Sequence, residues 1–539
     1  MTLLNSGHVD TFCRDNLPPL HQWPELNANQ YAYPNQLNVA VELTDNMVER
    51  GFGDHIALIG NGRMRTYKEL SDWSNRLAHA LVDDYDIQPG NRILIRAANN
   101  PALVACWLAA TKVGAVVVNT MPMLRAGELS KIIDLAQIKL ALCDTRLMDE
   151  MDICAKSSDI LQQVVGFDGT ANFDAELDRT ALNKPVRFQA VATSADDVAL
   201  LGFTSGTTGK PKATMHFHRD LLIIADGYAR EILQVTPDDV FVGSPPLAFT
   251  FGLGGLAIFP LRFGATAILL ETASPTEMIE IIETYKATIC FTSPTAYRVM
   301  LGAMDEGADL SSLRIAVSAG ETLPATVFED WQTKTGKTML DGIGATEMLH
   351  IFMSNRVGDA HPACTGKPVS GYQAKIVDEK MQEMPRGQVG KLAVRGPTGC
   401  RYLNDERQAN YVVDGWNLTG DAFFQDKDGY FHFAARTDDM ILSSGYNIAG
   451  PEVEACLLGH DAVLECAVIG TADEHRGQLV NAYVVLNKTY HASDELILKL
   501  QNYVKNTIAP YKYPRLVHFI DALPKTETGK IQRFKLKDL

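Results

Sequence analysis

The sequence predicts an α/β protein: a large N-terminal body of parallel-rich sheets with helices plus a β-rich subdomain, then a small α+β C-terminal domain. Three observations predict it. Short β-branched runs alternate with helical stretches through the first two thirds of the chain, as in strand–helix–strand units of a parallel sheet. After about residue 385 the pattern changes to glycine-punctuated runs such as GQVGKLAVRG and DGYFHFAAR, which read as antiparallel strands. The last stretch carries ECAVIGTADEHRGQLVNAYVVL and then a helical segment near 493–508.

Taken in order, Thr66-Tyr67-Lys68-Glu69 forms a capping box, and Leu70, Trp73, Leu77 and Leu81 follow at helical spacing. Gln88-Pro89-Gly90 is a turn, and RILIRAANNPALVACWLAATKVGAVVV reads strand, loop, helix, strand. KLALCD, VVGFD, ATAILL, ATICFTSP and RIAVSAG are further short strands of the same kind. VALLGF and ATMHFH flank a ten-residue loop, TSGTTGKPKA, and read as the two arms of a hairpin. On such a strand His216 and His218 would share one face.

Composition narrows the function. A chain of 539 residues, 46% hydrophobic and 21% charged, is ordinary globular protein. Its net charge of −16 argues against nucleic acid or an anionic membrane as partner. The most apolar stretch, 102–118, is interrupted by Thr111, Lys112 and Gly114, so no membrane span is expected. The opening run lacks a basic start followed by an apolar core, and the nine cysteines never fall at metal-binding spacing. Both features fit a cytoplasmic protein with reduced thiols, and the sequence is compatible with a monomer or a homodimer.

TSGTTGKPKA is a phosphate loop of an unusual kind. Against a Walker A pattern, Thr204 stands where the first glycine belongs and Pro211 where the magnesium-binding hydroxyl belongs. Gly206 and Gly209 still let backbone N–H groups converge on an anion, Thr204, Ser205, Thr207 and Thr208 add hydroxyls, and Lys210 and Lys212 add charge.

FTSGTTGKPK resembles the signature loop of the adenylate-forming superfamily: acyl-CoA synthetases, adenylation domains and luciferases. Four further blocks resemble the family's others in the same order: DGIGATE at 341–347, LTGD at 418–421, RTDDMI at 436–441 and PKTETGKIQR at 524–533. The resemblance implies ATP, Mg²⁺ and coenzyme A as co-substrates and an N-terminal domain of 1–435 joined by a hinge to a mobile domain of 436–539.

It also implies roles. Thr204, Ser205, Gly206, Thr207, Thr208 and Lys212 would hold the β- and γ-phosphates, Thr346 the α-phosphate, and Glu347 the metal. Ser318, Ala319, Gly320, Glu321, Asp341 and Gly342 would line the adenine slot, and Asp421 and Arg436 would hold the ribose. Lys530 would bridge the carboxylate and α-phosphate, Asp438 would be the hinge, and Gly445 would line the thiol tunnel. Phe249, Phe251, Gly342, Ile343 and His350 would form the acid pocket. Two phenylalanines and an isoleucine suit an aromatic ring.

DGIGATEMLHIF is similar to the aryl-CoA ligases for benzoate and 2-aminobenzoate, and VVNTMPMLRAGEL and TMHFHRD are similar to the 2-aminobenzoate branch. The best expectation is therefore a 2-aminobenzoate–CoA ligase, with a benzoate ligase or a carrier-loading aryl adenylating enzyme as alternatives. Ala213 and Ala435 replace glycines usual in the family, and neither change removes a donor.

Overall fold

The computed structural model describes all residues except 1–2, 171, 206–209, 273, 305–306, 322, 437–439, 525–530, 532 and 537–539. Expected site residues Gly206, Thr207, Thr208, Asp438 and Lys530 lie outside the described residues.

Two large sheets form the body. One runs Gln163–Phe167, Leu140–Asp144, Arg92–Arg96, Val116–Thr120, Val198–Ser205 and Pro211–Phe217. Its first five strands are parallel, and the last returns antiparallel as the expected hairpin, pairing Thr204 with Lys212. The other has nine strands; its central members, from Ile56–Gly60 to Thr338–Gly344, are parallel, and antiparallel strands close both edges. Of the β-runs read from sequence, Arg92–Arg96, Val116–Thr120, Leu140–Asp144, Ile289–Thr292 and Ile315–Ser318 are interior strands buried on both faces, whereas VVGFD falls on the edge strand Gln163–Phe167.

The helix Pro101–Lys112 is the core between the sheets, and every one of its residues is buried. Asn100 caps it through Leu103 N–H, Pro101 starts it, and its last residue, Lys112, is fully enclosed with Asp45 at 2.6 Å and Asn75 at 2.7 Å. The helix Tyr67–Asp83 packs beside it behind the predicted Thr66–Glu69 capping box. No helix among the described residues is long and apolar enough to cross a membrane.

A third sheet, of antiparallel strands between Gln373–Val377 and Phe431–Arg436, is the β-rich part of the body. The C-terminal sheet holds Met440–Ser443, Tyr446–Ala449, Val463–Asp473, Gly477–Leu486 and Leu516–Phe519, covered by the helices Gly450–Leu458 and Asp494–Thr507. It has its own hydrophobic cluster around Ile441, Val468 and Val484.

One expectation is corrected. The strand stops at Phe217 and His218 starts the helix His218–Ile224, so the two histidines do not share a strand face. His216 Nε2 lies 2.8 Å from the Thr346 carbonyl, while His218 Nδ1 accepts the Val39 N–H at 3.2 Å. All nine cysteines are free and buried.

Candidate active site

The carboxyl ends of the parallel strands converge, and the residues at or just beyond them line one cavity of about 860 Å³. Thr204 comes from the hairpin strand, Ser244 follows Val240–Gly243, Ser293 follows Ile289–Thr292, Ala319 and Gly320 follow Ile315–Ser318, and Ala345 and Thr346 follow Thr338–Gly344. Ser444, Gly445 and Tyr446 of the C-terminal sheet close the cavity from the other side. The structure thus brings together residues as far apart in the chain as Thr204, Thr346 and Ser444.

Thr346 and Glu347 sit on a short 3-10 turn, Thr346–Met348. Glu347 is buried, with Lys212 Nζ at 3.2 Å and the Tyr402 hydroxyl donating to it at 2.5 Å. Burial opposes its charge, but Lys212 and Tyr402 outweigh it and hold the carboxyl below its ordinary range. Tyr402 also accepts from Lys212 at 2.6 Å. Behind the turn, the His216 imidazole is kept neutral by burial and the nearby Arg401, its pKa pushed down to about 3, so its Nε2–H donates to the Thr346 carbonyl. Gly202 leaves room for Thr346: a Cβ there would meet Thr346 Cγ2 at 2.7 Å.

Ser318 and Asp341, expected in the adenine slot, are buried cross-strand neighbours, and neither is on the cavity wall. Burial pushes the Asp341 carboxyl well above the carboxylate range, leaving it neutral. Thr204 Oγ1, Ser318 Oγ and Asp341 Oδ1 are buried polar atoms without a hydrogen-bond partner among the described residues. Such atoms cost about 1–3 kcal/mol each unless a bound group satisfies them. Gly320 takes φ +89°, where only glycine sits without strain. Asp421 is buried and directly opposes Arg436 on antiparallel strands.

Glu321, expected in the adenine slot, accepts from the Thr295 hydroxyl at 2.6 Å. A Cβ on Gly445, itself at φ +80°, would lie 3.8 Å from Glu321 Oε1.

One end of the cavity is aromatic. Phe251 and His350 line the cavity with ring centroids 5.6 Å apart, and Phe259 meets His350 edge-on at 4.5 Å. Burial lowers the His350 pKa to about 3, and its Nε2–H donates to the Phe251 carbonyl at 3.2 Å. That leaves Nδ1 as a bare acceptor with no partner among the described residues. Gly254 permits this packing, because a Cβ there would meet His350 Cδ2 at 2.3 Å. Phe249 lies at the mouth, its ring 6.3 Å from Tyr446.

Here the structure departs from expectation. Gly342 and Ile343 are not on the cavity wall, and Ile351 takes the aliphatic place. The strand Ile351–Ser354 carries one extra residue there: Ile343 pairs with Met353, whereas Gly344 pairs with Ile351.

Sequence reasoning also passed over Tyr402, which anchors both Lys212 and Glu347, and the channel wall around Glu128, Glu452 and Lys512. Among the described residues no cluster of three or more His, Cys, Asp or Glu could by itself hold a metal ion.

Residues 46–402 match the AMP-binding enzyme family, and residues 452–530 match the AMP-binding enzyme C-terminal domain. The benzoate–CoA ligase of Thauera aromatica is 36% identical, with 94% of this chain and 96% of that protein covered. The 3-hydroxybenzoate–CoA ligase of Aromatoleum sp. (strain CIB) is 33% identical, with coverage of 93% and 97%. The crystal structure of the anthranilate CoA ligase AuaEII in complex with anthranoyl-AMP matches with a TM-score of 0.73 at 32% identity, covering 95% of this chain and 98% of that one. The chain belongs to the adenylate-forming AMP-binding enzyme family, and within it to the AMP-forming acid–CoA ligases.

Proposed function

We propose that this protein activates an aromatic carboxylic acid as its acyl-adenylate, releasing pyrophosphate, and then transfers the acyl group to coenzyme A. The observation that carries this reading is the continuity of the cavity. An aromatic end at Phe251 and His350, hydroxyls at Thr204 and Thr346, and a mouth at Gly445 and Tyr446 open onto one space. An acid, a nucleotide α-phosphate and a thiol can therefore meet there.

In this reading the carboxylate attacks the α-phosphorus, and positive charge and alignment lower the barrier most. The loop Thr204–Lys212 grips the outer phosphates, Thr346 donates to the α-phosphate, and Asp421 and Arg436 fix the ribose. The neutral Asp341 and Ser318 take hydrogen bonds from or give them to adenine, which would satisfy their buried polar atoms. Lys530 bridges the reacting carboxylate and phosphate. Rotation about Asp438, at the boundary between 1–435 and 436–539, then lets Gly445 line the thiol path.

Glu347 is an ionised, nearly enclosed carboxylate and fits as the protein's single ligand to Mg²⁺, whose other ligands would be phosphate oxygens and water. A magnesium ion there would neutralise phosphate charge.

Among aryl acids, 2-aminobenzoate is our first choice. An ortho-amino group needs an acceptor, and His350 Nδ1 is one with no partner among the described residues. Benzoate is the second reading, favoured by the 36% identity to the Thauera enzyme.

The test is AMP release and thioester formation with a panel of benzoates and aliphatic acids, with and without coenzyme A. The expected order places 2-aminobenzoate and benzoate first. A preference for aliphatic acids would overturn the aryl reading, and AMP without thioester would favour a carrier-loading enzyme.

A further inference from the structure

The outer wall of the channel is built by a charged cluster that spans the two parts of the chain. Glu128 lies in the first turn of the helix Ala126–Ala136 of the body. Lys512 ends a 3-10 turn, Pro510–Lys512, of the C-terminal part. Both are almost fully buried, at 8% and 4% exposure. Lys512 Nζ donates to Glu128 Oε1 at 2.6 Å and to Glu452 Oε1 at 2.8 Å. Glu128 Oε2 accepts the Ala509 N–H at 2.9 Å and the Arg125 N–H at 3.0 Å. One carboxylate of the body thus receives two donors from the C-terminal part and one from its own helix start.

The cluster is continuous with the thiol-side wall. Tyr511, next to Lys512, stacks on Tyr446 at 4.3 Å, and Tyr446 meets Phe249 at the pocket mouth. The bonds at Glu128 therefore fix where the turn Ser444–Tyr446 sits relative to the acid pocket.

A buried ion pair is a weak source of net stability, because desolvating both charges roughly cancels their attraction. It is a strong selector of geometry, because any other arrangement that keeps the groups dry leaves a charge unpaired. When the parts separate, both charges regain water. Such a pair favours one orientation while leaving separation easy, as suits a contact that must form and break in each turnover.

We propose that Glu128, acting through Lys512 and the Ala509 N–H, is a positioning residue that selects the domain orientation used for thiol transfer and contributes nothing to acid activation. The assignment rests on the two-step function proposed for this site.

The test compares Glu128→Gln, Lys512→Met and the double variant in two separate assays. Acid-dependent ATP–pyrophosphate exchange reads activation. Single-turnover thioester formation from supplied acyl-adenylate and coenzyme A reads transfer. Each single variant is expected to slow transfer about 10- to 100-fold and leave exchange within about twofold. The double variant is expected to be no slower than the worse single one, because the two residues act as a pair. Lys512→Arg should restore part of the rate. Equal loss in both assays, or unchanged transfer, would overturn the proposal.

A second readout needs no chemistry. Spin labels on Val357→Cys and Leu498→Cys, both exposed positions on the two parts, should give one dominant distance that broadens with Glu128→Gln. A distribution that Glu128→Gln leaves unchanged overturns the latch even if transfer is slowed. A wild-type protein that forms no thioester would refute the function reading alone, and the label distances would still decide the latch.

Discussion

Lys212 Nζ and Glu347 Oε1 lie 3.2 Å apart, joining the phosphate-loop hairpin to the turn that carries Thr346. The residue proposed to grip phosphate and the residue proposed to hold magnesium are thus each other's partners, with Tyr402 bonded to both. Lys212 and Tyr402 together hold the buried Glu347 carboxyl below its ordinary range.

Removing one member should therefore harm both stability and activity, and removing both should separate the two effects. Lys212→Met leaves a buried carboxylate without its cation and is expected to cost about 3–5 kcal/mol. Adding Glu347→Gln should recover most of that stability in urea unfolding, while kcat/KM for ATP stays about 10²- to 10³-fold down. The depressed Glu347 carboxyl adds stability that is present above its ordinary value near 4.5 and lost as pH falls through its lower folded value. Glu347→Gln should flatten that acid limb. A double variant as unstable as Lys212→Met would contradict the pairing.

Three buried histidines should dominate the loss of stability between neutral and mildly acidic pH. His216, His218 and His350 all have their pKa pushed down to about 3 by burial, so they are neutral in the fold. The unfolded chain binds a proton on each below about 6.5, which makes stability full above that pH and progressively lower beneath it. Each contributes a slope of up to roughly 1.4 kcal/mol per pH unit. Urea midpoints measured from pH 7.5 down to 5 should fall steeply, and His350→Gln should reduce the slope by one proton. The KM for the aryl acid should show no inflection near 6.5 from His350. An unchanged slope in the variant would mean that the histidine is charged in the fold.

Gly445 offers a way to block thiol transfer alone. Its φ of +80° disfavours any side chain, and a β-branched one most. Gly445 lines the cavity, and a Cβ there would lie 3.8 Å from Glu321 Oε1 and from Ser293 Cβ, so a larger side chain would crowd that wall. Gly445→Val is expected to lower thioester formation by more than tenfold, with Gly445→Ala intermediate and pyrophosphate exchange nearly normal. Loss of exchange equal to the loss of transfer would place Gly445 in the first half-reaction instead.

Elements set by local pattern were legible in the sequence. Runs such as ILI at 93–95 and VVV at 116–118 could only be strands buried on both faces, and the flanks of TSGTTGKPKA could only be a hairpin. Local pattern misled where a single residue changes phase. Ile351 lines the cavity where Ile343 was expected, beside a one-residue irregularity in the strand Ile351–Ser354, and the strand end at Phe217 separates His216 from His218. Long-range polar pairs left no trace at all. Tyr402 is 190 residues from Lys212, and Glu128 is 384 residues from Lys512, and nothing in either local sequence announces a partner.

Another steric relationship at the site links Gly202 to Thr346. A Cβ at 202 would sit 2.7 Å from Thr346 Cγ2 and 3.6 Å from Thr250 Cγ2, and the backbone there is ordinary strand, so the glycine is required by space and not by its dihedral angles. Gly202→Ala should push the Thr346 side chain off its position, with an overpacking cost of about 1–3 kcal/mol. Because Thr346 is proposed to donate to the α-phosphate, adenylate formation should fall about tenfold or more. Thr346→Ser deletes the methyl that clashes and keeps the hydroxyl. The pair Gly202→Ala with Thr346→Ser should therefore be faster in pyrophosphate exchange than Gly202→Ala alone, although each change is harmful or neutral by itself. A double variant slower than either single one would show that the hydroxyl position, and not the methyl contact, is what Gly202 protects.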